Sequence, residues 1–305
     1  MKLGFLTACF PNLELEDLVR WGSKEGFQMV EVACWPRGEV ERKYAGVSHI
    51  DVENLNEEKA AEIRETLASH KMAISSLAYY PNNLDPDLQA REHCHAHLKK
   101  VIEAASKLNI DIVGTFVGRD PYKTVEENLR SFQKVFPDIV KFSEDHNVRL
   151  AIENCPMGVE HGGKASWPTG TNLAYSPDIW TRMFDVIPSR YFGLNFDPSH
   201  LIWQGIDYVK AVKDFKDKIF HMHAKDTKID KDVLSRVGIF GTGWWINKLP
   251  GLGDVNWSRC ISTLYEVGYD YVISIEHEDE AWEGEEGKIK RGLLLVRDIL
   301  NPYIR

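Results

Sequence analysis

The sequence predicts a (β/α)8 TIM barrel. Three observations carry this. There are eight short apolar runs of strand length, helical patterns follow most of them, and metal-ligand residue types end at least four of the runs. Barrel active sites are built at the C-terminal ends of the strands. The competing arrangement is an open doubly wound sheet. That fold calls for a glycine-rich phosphate turn after the first strand, and the TACFPN segment from Thr7 to Asn12 is not one.

In order, LGFLTACF is the first strand, closed by Pro11-Asn12. LELEDLVRWGSKEG carries apolar residues at Leu15, Leu18 and Val19 and reads as a helix ending at Gly26. MVEVAC is the second strand. Asn56 caps the next helix, with acids in its first turn where the helix dipole favours them. MAISSLAYY is the third strand, a long helix runs from Asp87 to Leu108, and DIVGTFVG is the fourth strand. Thr124 caps a helix through Asp145, and VRLAIEN is the fifth strand. Residues 155–176 read as a long loop rich in Gly, Pro, Ser and Thr. Pro177 opens the following helix at the position proline favours. FGLNFD is the sixth strand, IDYVKAVKDF a helix, and KIFHMHAK the seventh strand. Asp226 to Asn256 reads as a second irregular segment, and residues 257–268 as a helix. YVISIE is the eighth strand and KIKRGLLLVRDIL the last helix.

The 305 residues, 43% hydrophobic and 27% charged, suit one barrel domain over 1–305, and no linker composition divides them. A net charge of -9 argues against a nucleic-acid partner, which selects a basic surface. The five cysteines are scattered, with no CxxC pair, as in a reduced, cytoplasmic compartment. The N-terminus reads as a strand rather than a signal peptide, and no apolar run reaches the ~20 residues needed to cross a bilayer.

The chemistry concentrates at strand ends. Glu153 follows Leu150-Ala151-Ile152, Asp197 follows Phe192 to Phe196, and Glu276 follows Ile273-Ser274-Ile275. A carboxylate ending a buried strand is costly unless it is paired, hydrogen-bonded or on a metal. Asp197 also stands where it can cap the next helix. His221 and His223 alternate on the seventh strand, so their side chains share a face. Three carboxylates and one imidazole suit a divalent metal. Mn²⁺ is preferred, with Mg²⁺ and Co²⁺ as alternatives. Trp35, Trp167, Trp244, Trp245 and Trp282 fall in loops at this end, where a sugar face can stack. Trp180, Trp203 and Trp257 read as core. Glu31 is placed to touch substrate or to support a ligand from behind. His93, His95 and His97 lie on a helix and read as a solvated face.

The motifs AIEN, DPSH, HMHAKDT, PGLGDVNW and SIEHED, in this order over nearly the whole chain, resemble the xylose isomerase-like TIM-barrel superfamily of sugar phosphate isomerases and epimerases. It includes ketose 3-epimerases, hydroxypyruvate isomerase, inosose dehydratase and endonuclease IV. The resemblance implies a metal on Glu153, Asp197, His223 and Glu276, with His200 contacting substrate. It also calls for an arginine soon after the strand-seven histidine. Here that stretch reads AKDTKID, leaving Lys225 or Lys228 as substitutes.

Such a metal acidifies the C–H beside a carbonyl and stabilises the resulting enediolate. Glu153 and Glu276, on opposite sides of that carbon, then serve as acid and base. The expected function is metal-dependent isomerisation or epimerisation of a small sugar or keto-sugar. The runner-up is a lyase or dehydratase acting on an inosose or 3-keto glycoside. An endonuclease IV-like enzyme needs histidines on the early strands and a basic groove. A non-catalytic sugar-binding barrel leaves the ligand set without a role. The long loops after the fifth and seventh strands are expected to cover the site, to lengthen the pocket for a glycoside, or to join subunits of a homodimer or homotetramer.

Overall fold

The computed structural model describes residues 1–38, 44–157 and 170–304. Eight parallel strands close into a barrel: β1 (Lys2–Leu6), β2 (Met29–Ala33), β3 (Ala73–Ala78), β4 (Ile112–Thr115), β5 (Arg149–Glu153), β6 (Phe192–Phe196), β7 (Ile219–Ala224) and, last in the chain, β10 (Val272–Ile275). β10 pairs with β7 and β1, and β1 pairs with β2, so no edge remains open. The inner strands are almost wholly buried, which explains why they read as continuous apolar runs rather than alternating ones.

The helices between them are α1 (Leu15–Lys24), α2 (Glu57–Ser69), α3 (Leu88–Leu108), α4 (Val125–Asp145), α5 (Pro177–Val186), α6 (Ser199–Ile202), α7 (Tyr208–Asp214), α8 (Lys231–Val237), α9 (Trp257–Glu266) and α10 (Glu286–Leu300). Their starts follow the expected chemistry. The Asn56 side chain accepts from Lys59 N, and Asp87 accepts from Gln89 N and Ala90 N. Thr124 and Glu127 form a reciprocal capping box. Gly26 ends the first helical unit at φ +86°, the left-handed region glycine tolerates. Outside the barrel, Phe132, Phe136 and Phe192 pack ring on ring between α4 and β6.

Asp226 to Asn256 is more ordered than its composition implies. An antiparallel hairpin, β8 (Asp226–Ile229) with β9 (Trp245–Lys248), encloses α8. Glycines and tryptophans hide the strand alternation here. The Asp226 carboxylate gathers the segment, accepting from Thr227 N (2.8 Å), Gly251 N (2.9 Å), Val255 N (2.9 Å) and Trp257 Nε1 (3.0 Å). A Cβ at Gly253 would collide with that carboxylate, so PGLGD needs its second glycine for close approach. Trp203 stacks on Trp245 at 5.0 Å and meets Trp244 edge-on, so the two loop tryptophans pack the hairpin down.

The histidine-rich helix differs from expectation. His93 is exposed, but His97 is buried, with Nε2 2.8 Å from Cys34 O, and His95 Nε2 lies 2.8 Å from Asn83 O. These side chains tie α3 to the barrel rather than facing solvent. No helix among the described residues is long and apolar enough to cross a membrane.

Candidate metal centre and active site

Each site residue stands where a strand runs out. Glu153 is the last residue of β5, Asp197 and Glu276 each follow β6 and β10 by one, and His223 is next to last in β7. Parallel pairing aligns these ends. Glu153 lies in register with Asn195, and His223 with Ser274. Asn154 locks two of them together: its Oδ1 accepts from Asp197 N at 2.7 Å and its Nδ2 donates to Asp197 O at 2.8 Å.

The four side chains converge. One ligand-type atom from each of Glu153, Asp197, His223 and Glu276 lies within 4.8 Å of the other three, and all four residues are buried. His223 Nδ1 is 3.3 Å from Glu153 Oε1 and 3.2 Å from Glu276 Oε2. Asp197 precedes Pro198, the cap position of α6; its Oδ1 accepts from Ser199 N at 2.8 Å, while Oδ2 faces the cluster without a hydrogen bond. A buried carboxylate oxygen with no hydrogen bond, facing two further carboxylates and offset by one ammonium at 3.5 Å, is a place a divalent cation would suit. Three oxygen donors with one imidazole match the hard metals.

The tautomer of His223 is set from behind. Glu31 Oε2 lies 2.8 Å from His223 Nε2 and accepts from Ser274 Oγ at 3.0 Å, while Glu31 Oε1 accepts from Tyr80 Oη at 2.7 Å. Burial would lower the His223 ring, but Glu31, Glu276 and Glu153 outweigh it and hold it well above its usual range, so a cation in the cluster would displace the Nδ1 proton while Glu31 is placed to keep the one on Nε2. Both Glu31 oxygens are engaged and the side chain is fully buried. These contacts are those of a support behind His223. His221 is a satisfied core histidine, with Nδ1 3.0 Å from Asn195 Oδ1 and Nε2 3.0 Å from Ser75 Oγ.

Lys225 is only 2% exposed, whereas Lys228 is exposed. The Lys225 ammonium lies 3.0 Å from Glu276 Oε2, 3.0 Å from Glu278 Oε2 and 3.5 Å from Asp197 Oδ2. Of the two lysines that could replace the missing arginine, Lys225 is the one brought to the site. His200 Nε2 is 3.3 Å from Asp197 Oδ2 and 3.8 Å from Glu153 Oε1, and neither ring nitrogen makes a hydrogen bond. Trp35 is buried, its ring 6.0 Å from that of Tyr80. Trp167 lies outside the described residues.

Charge is distributed unevenly. Burial pushes the Asp197 carboxyl up to about 7, against the Lys225 ammonium and helped by Glu276 and Glu153. Burial also raises Glu153, with Glu276 adding to it. Burial would raise Glu276 too, but Lys225 and His223 outweigh it and hold that carboxyl well below its usual range. Glu31 is held at about 2, its burial outweighed by His223 and His221. Burial keeps His200 neutral.

Sequence reading missed Tyr80, Asn195 and Glu278. Asn195 Nδ2 donates to Tyr80 Oη at 2.7 Å and lies 2.9 Å from His223 Nε2. A polar residue inside the apolar FGLNF run was the available signal. Glu278 sits two residues past Glu276 in SIEHED, a second acid in the same segment.

Residues 19–299 match the family model for the xylose isomerase-like TIM barrel. An uncharacterised Bacillus subtilis protein, YfiH, is 26% identical across 94% of this chain and 96% of its own length. A Clostridium perfringens protein named inosose dehydratase is 22% identical across 92% of this chain and 91% of its own. A solved structure described as IolI protein with a binding zinc atom superposes with a TM-score of 0.73 at 17% identity, covering 100% of this chain and 98% of that one, which shows a shared fold.

Proposed function

The chain belongs to the xylose isomerase-like TIM-barrel family, and we propose that within it this protein is a divalent-metal-dependent isomerase of the epimerase type. The observation that carries this reading is the buried quartet of Glu153, Asp197, His223 and Glu276. Proteins of this fold are named as sugar epimerases and dehydratases, which bounds the chemistry. A metal held by the quartet, Mn²⁺ first with Mg²⁺ or Co²⁺ as alternatives, would polarise a substrate carbonyl and stabilise charge beside it.

The protein's own groups do the rest. Glu153 and Glu276 come from strands separated by β6 and β7, so they approach a bound sugar from different sides. One removes the proton next to the carbonyl and the other returns one. Return to the opposite face gives epimerisation, and return to the neighbouring carbon gives isomerisation. Asp197 takes no proton in this scheme and fixes position. Neutral His200 orients a substrate hydroxyl from the first turn of α6. Lys225, held charged because its acidic neighbours outweigh its burial, donates to a substrate oxygen with Glu278 steadying it.

A second reading has its own support. The Lys225–Glu278 pair beside Glu276 can hand a proton to a departing hydroxyl, which is elimination, and relatives carry the name inosose dehydratase. One experiment tests both. Mn²⁺-loaded protein in D₂O is given ketoses, inososes and 3-keto glycosides, and products are read by proton NMR. Deuterium next to the carbonyl with carbon count and hydroxyls intact supports the isomerase. Deuterium with loss of water supports the lyase. No exchange into any member of the panel would count against both and favour a binding barrel.

A further inference from the structure

Lys225 is held on one side by the metal quartet and on the other by the rim hairpin. Of the carboxylates around its ammonium, Glu276 at 3.0 Å and Asp197 at 3.5 Å belong to the quartet, and Glu278 at 3.0 Å does not. An ammonium has three donors, and three carboxylates can engage them all. A cation in the quartet would claim lone pairs of Glu276 and Asp197, so Glu278 becomes the neighbour that decides where the ammonium stands. A glutamate side chain turns about several bonds, so one contact does not fix its carboxylate. β9 supplies a second. Asn247 Nδ2 donates to Glu278 Oε2 at 3.2 Å, the same oxygen that accepts from Lys225 at 3.0 Å. Strand alternation sets Asn247 on this side: it shares a face with buried Trp245, while Ile246 between them is 43% exposed. Trp245 stacks on Trp203, three residues past His200, so that face of β9 is seated against the rim of the site.

The residue type fits the task. An amide is a neutral donor, so it fixes the Glu278 carboxylate and leaves its charge for Lys225. A lysine in its place would compete with Lys225 for that charge. Lys248, the next residue, shows the contrast. Its ammonium meets Asp279 Oδ1 at 3.0 Å, and Asp279 Oδ2 accepts from Leu249 N at 3.2 Å. That pair already fastens the hairpin to the segment after β10, so the seat of the hairpin does not depend on Asn247 alone. We propose that Asn247 is a positioning residue: through Glu278 it fixes the Lys225 ammonium beside the quartet for its contact with substrate. The proposal rests on the reading of Lys225 as a donor to a substrate oxygen.

The test is a double-substitution cycle on the full chain, Asn247→Leu with Glu278→Ala, read in two ways. The first needs no substrate. The protein is labelled with ¹⁵N-lysine and loaded with Mg²⁺, which does not broaden the signals. Water exchange of the Lys225 ammonium is followed by NMR, with Lys225→Met assigning its signal. The wild-type ammonium should exchange far more slowly than those of exposed lysines. Asn247→Leu should speed its exchange about three- to tenfold, the strength of one hydrogen bond. In the Glu278→Ala background the same substitution should add less than about twofold, because the two residues act as one unit. The second reading is kcat/KM on whichever keto-sugar exchanges in D₂O, where the same pattern is expected. Lys248→Met breaks the neighbouring fastening and should leave both readouts at wild-type values. Asn247→Ser, too short to reach Glu278, repeats the test if leucine disturbs the hairpin. An ammonium unchanged in both Asn247 variants, losses that multiply in the double variant, or the same losses in Lys248→Met overturn the proposal. So does a wild-type Lys225 ammonium that exchanges as fast as exposed lysines. Ammonium coupling without turnover of any keto-sugar sinks the catalytic reading and leaves the placement of Lys225. Turnover without coupling sinks the positioning role alone.

Discussion

Glu31→Gln isolates the support behind the metal ligand. The substitution keeps shape and volume in a fully buried position. An amide oxygen can still accept from His223 Nε2 across the present 2.8 Å, so there only the charge is removed, while the amide NH2 replaces the oxygen that accepts from Tyr80 Oη. Charge-assisted hydrogen bonds are about twice as strong as neutral ones, and bonds to charged groups contribute ~1.5–3 kcal/mol. Losing about half of that removes ~0.8–1.5 kcal/mol, about a four- to twelvefold weaker Kd for Mn²⁺. This reaches the lower edge of the 10–100-fold range for such carboxylates behind metal-bound histidines. Glu31→Ala should go further, because it also strands the hydroxyls of Tyr80 and Ser274. The assay is Mn²⁺ titration against a competing chelator, with a thermal melt confirming the fold. A folded Glu31→Gln protein with Mn²⁺ affinity within about twofold of wild type would refute the claim that Glu31 sets the His223 tautomer.

Three further outcomes follow from the same geometry. Glu153→Gln and Glu276→Gln should each fold and lose about 10²–10⁴ in turnover, and full activity in Glu276→Gln would remove it from the acid–base pair. Asp197, with a folded pKa near 7 against 3.8 unfolded, stabilises the metal-free fold most at low pH, and that contribution fades as pH rises through about 7. That share is lost between about pH 4 and 7, set against the gain from His221 and His200, whose rings burial holds below their usual range, so over this span metal-free wild type should lose more melting temperature than metal-free Asp197→Asn. Mn²⁺ affinity should rise over the same span as the proton leaves, and a flat affinity profile speaks against Asp197 as a ligand. Lys225→Met leaves Glu276, Glu278 and Asp197 without their buried counter-charge, and removing one partner of such a set costs about 3–5 kcal/mol. The metal-free variant should melt several degrees lower and recover on adding Mn²⁺, whereas unchanged melting would mean the ammonium is not neutralising the cluster.

The barrel was legible because its strands are buried on both faces and its helices announce their caps. Asn56, Asp87, Thr124 and Pro177 all mark starts where the sequence places them. The acids at strand ends were legible for a related reason: an acid after four or five apolar residues has few inexpensive environments. Strand alternation was too coarse to separate His221 from His223. Both point inward, and they differ in depth, which only the partners Ser75 and Glu31 reveal. His97 needed knowledge of the carbonyl of Cys34, 63 residues away. Lys225 and Lys228 looked equivalent until the strand end fixed which one is buried. The hairpin from Asp226 to Lys248 stayed hidden because Gly241, Gly243 and the paired tryptophans break the period-two pattern.

Asp226 closes the hairpin segment on itself. One carboxylate at its entry holds Gly251, Val255 and Trp257 at its exit. The stretch between is held at its base by that collar of contacts and again along β9, where Trp245 stacks on Trp203, Asn247 Nδ2 donates to Glu278 Oε2 at 3.2 Å and the Lys248 ammonium meets Asp279 Oδ1 at 3.0 Å. A graft that keeps these contacts, Asp226 and residues 250–257, and replaces only the stretch from Lys231 to Gly243, should leave the metal quartet assembled. The rim thus offers a short exchangeable stretch whose two ends are clamped, so new chain can be set beside the quartet without moving the strands that carry it.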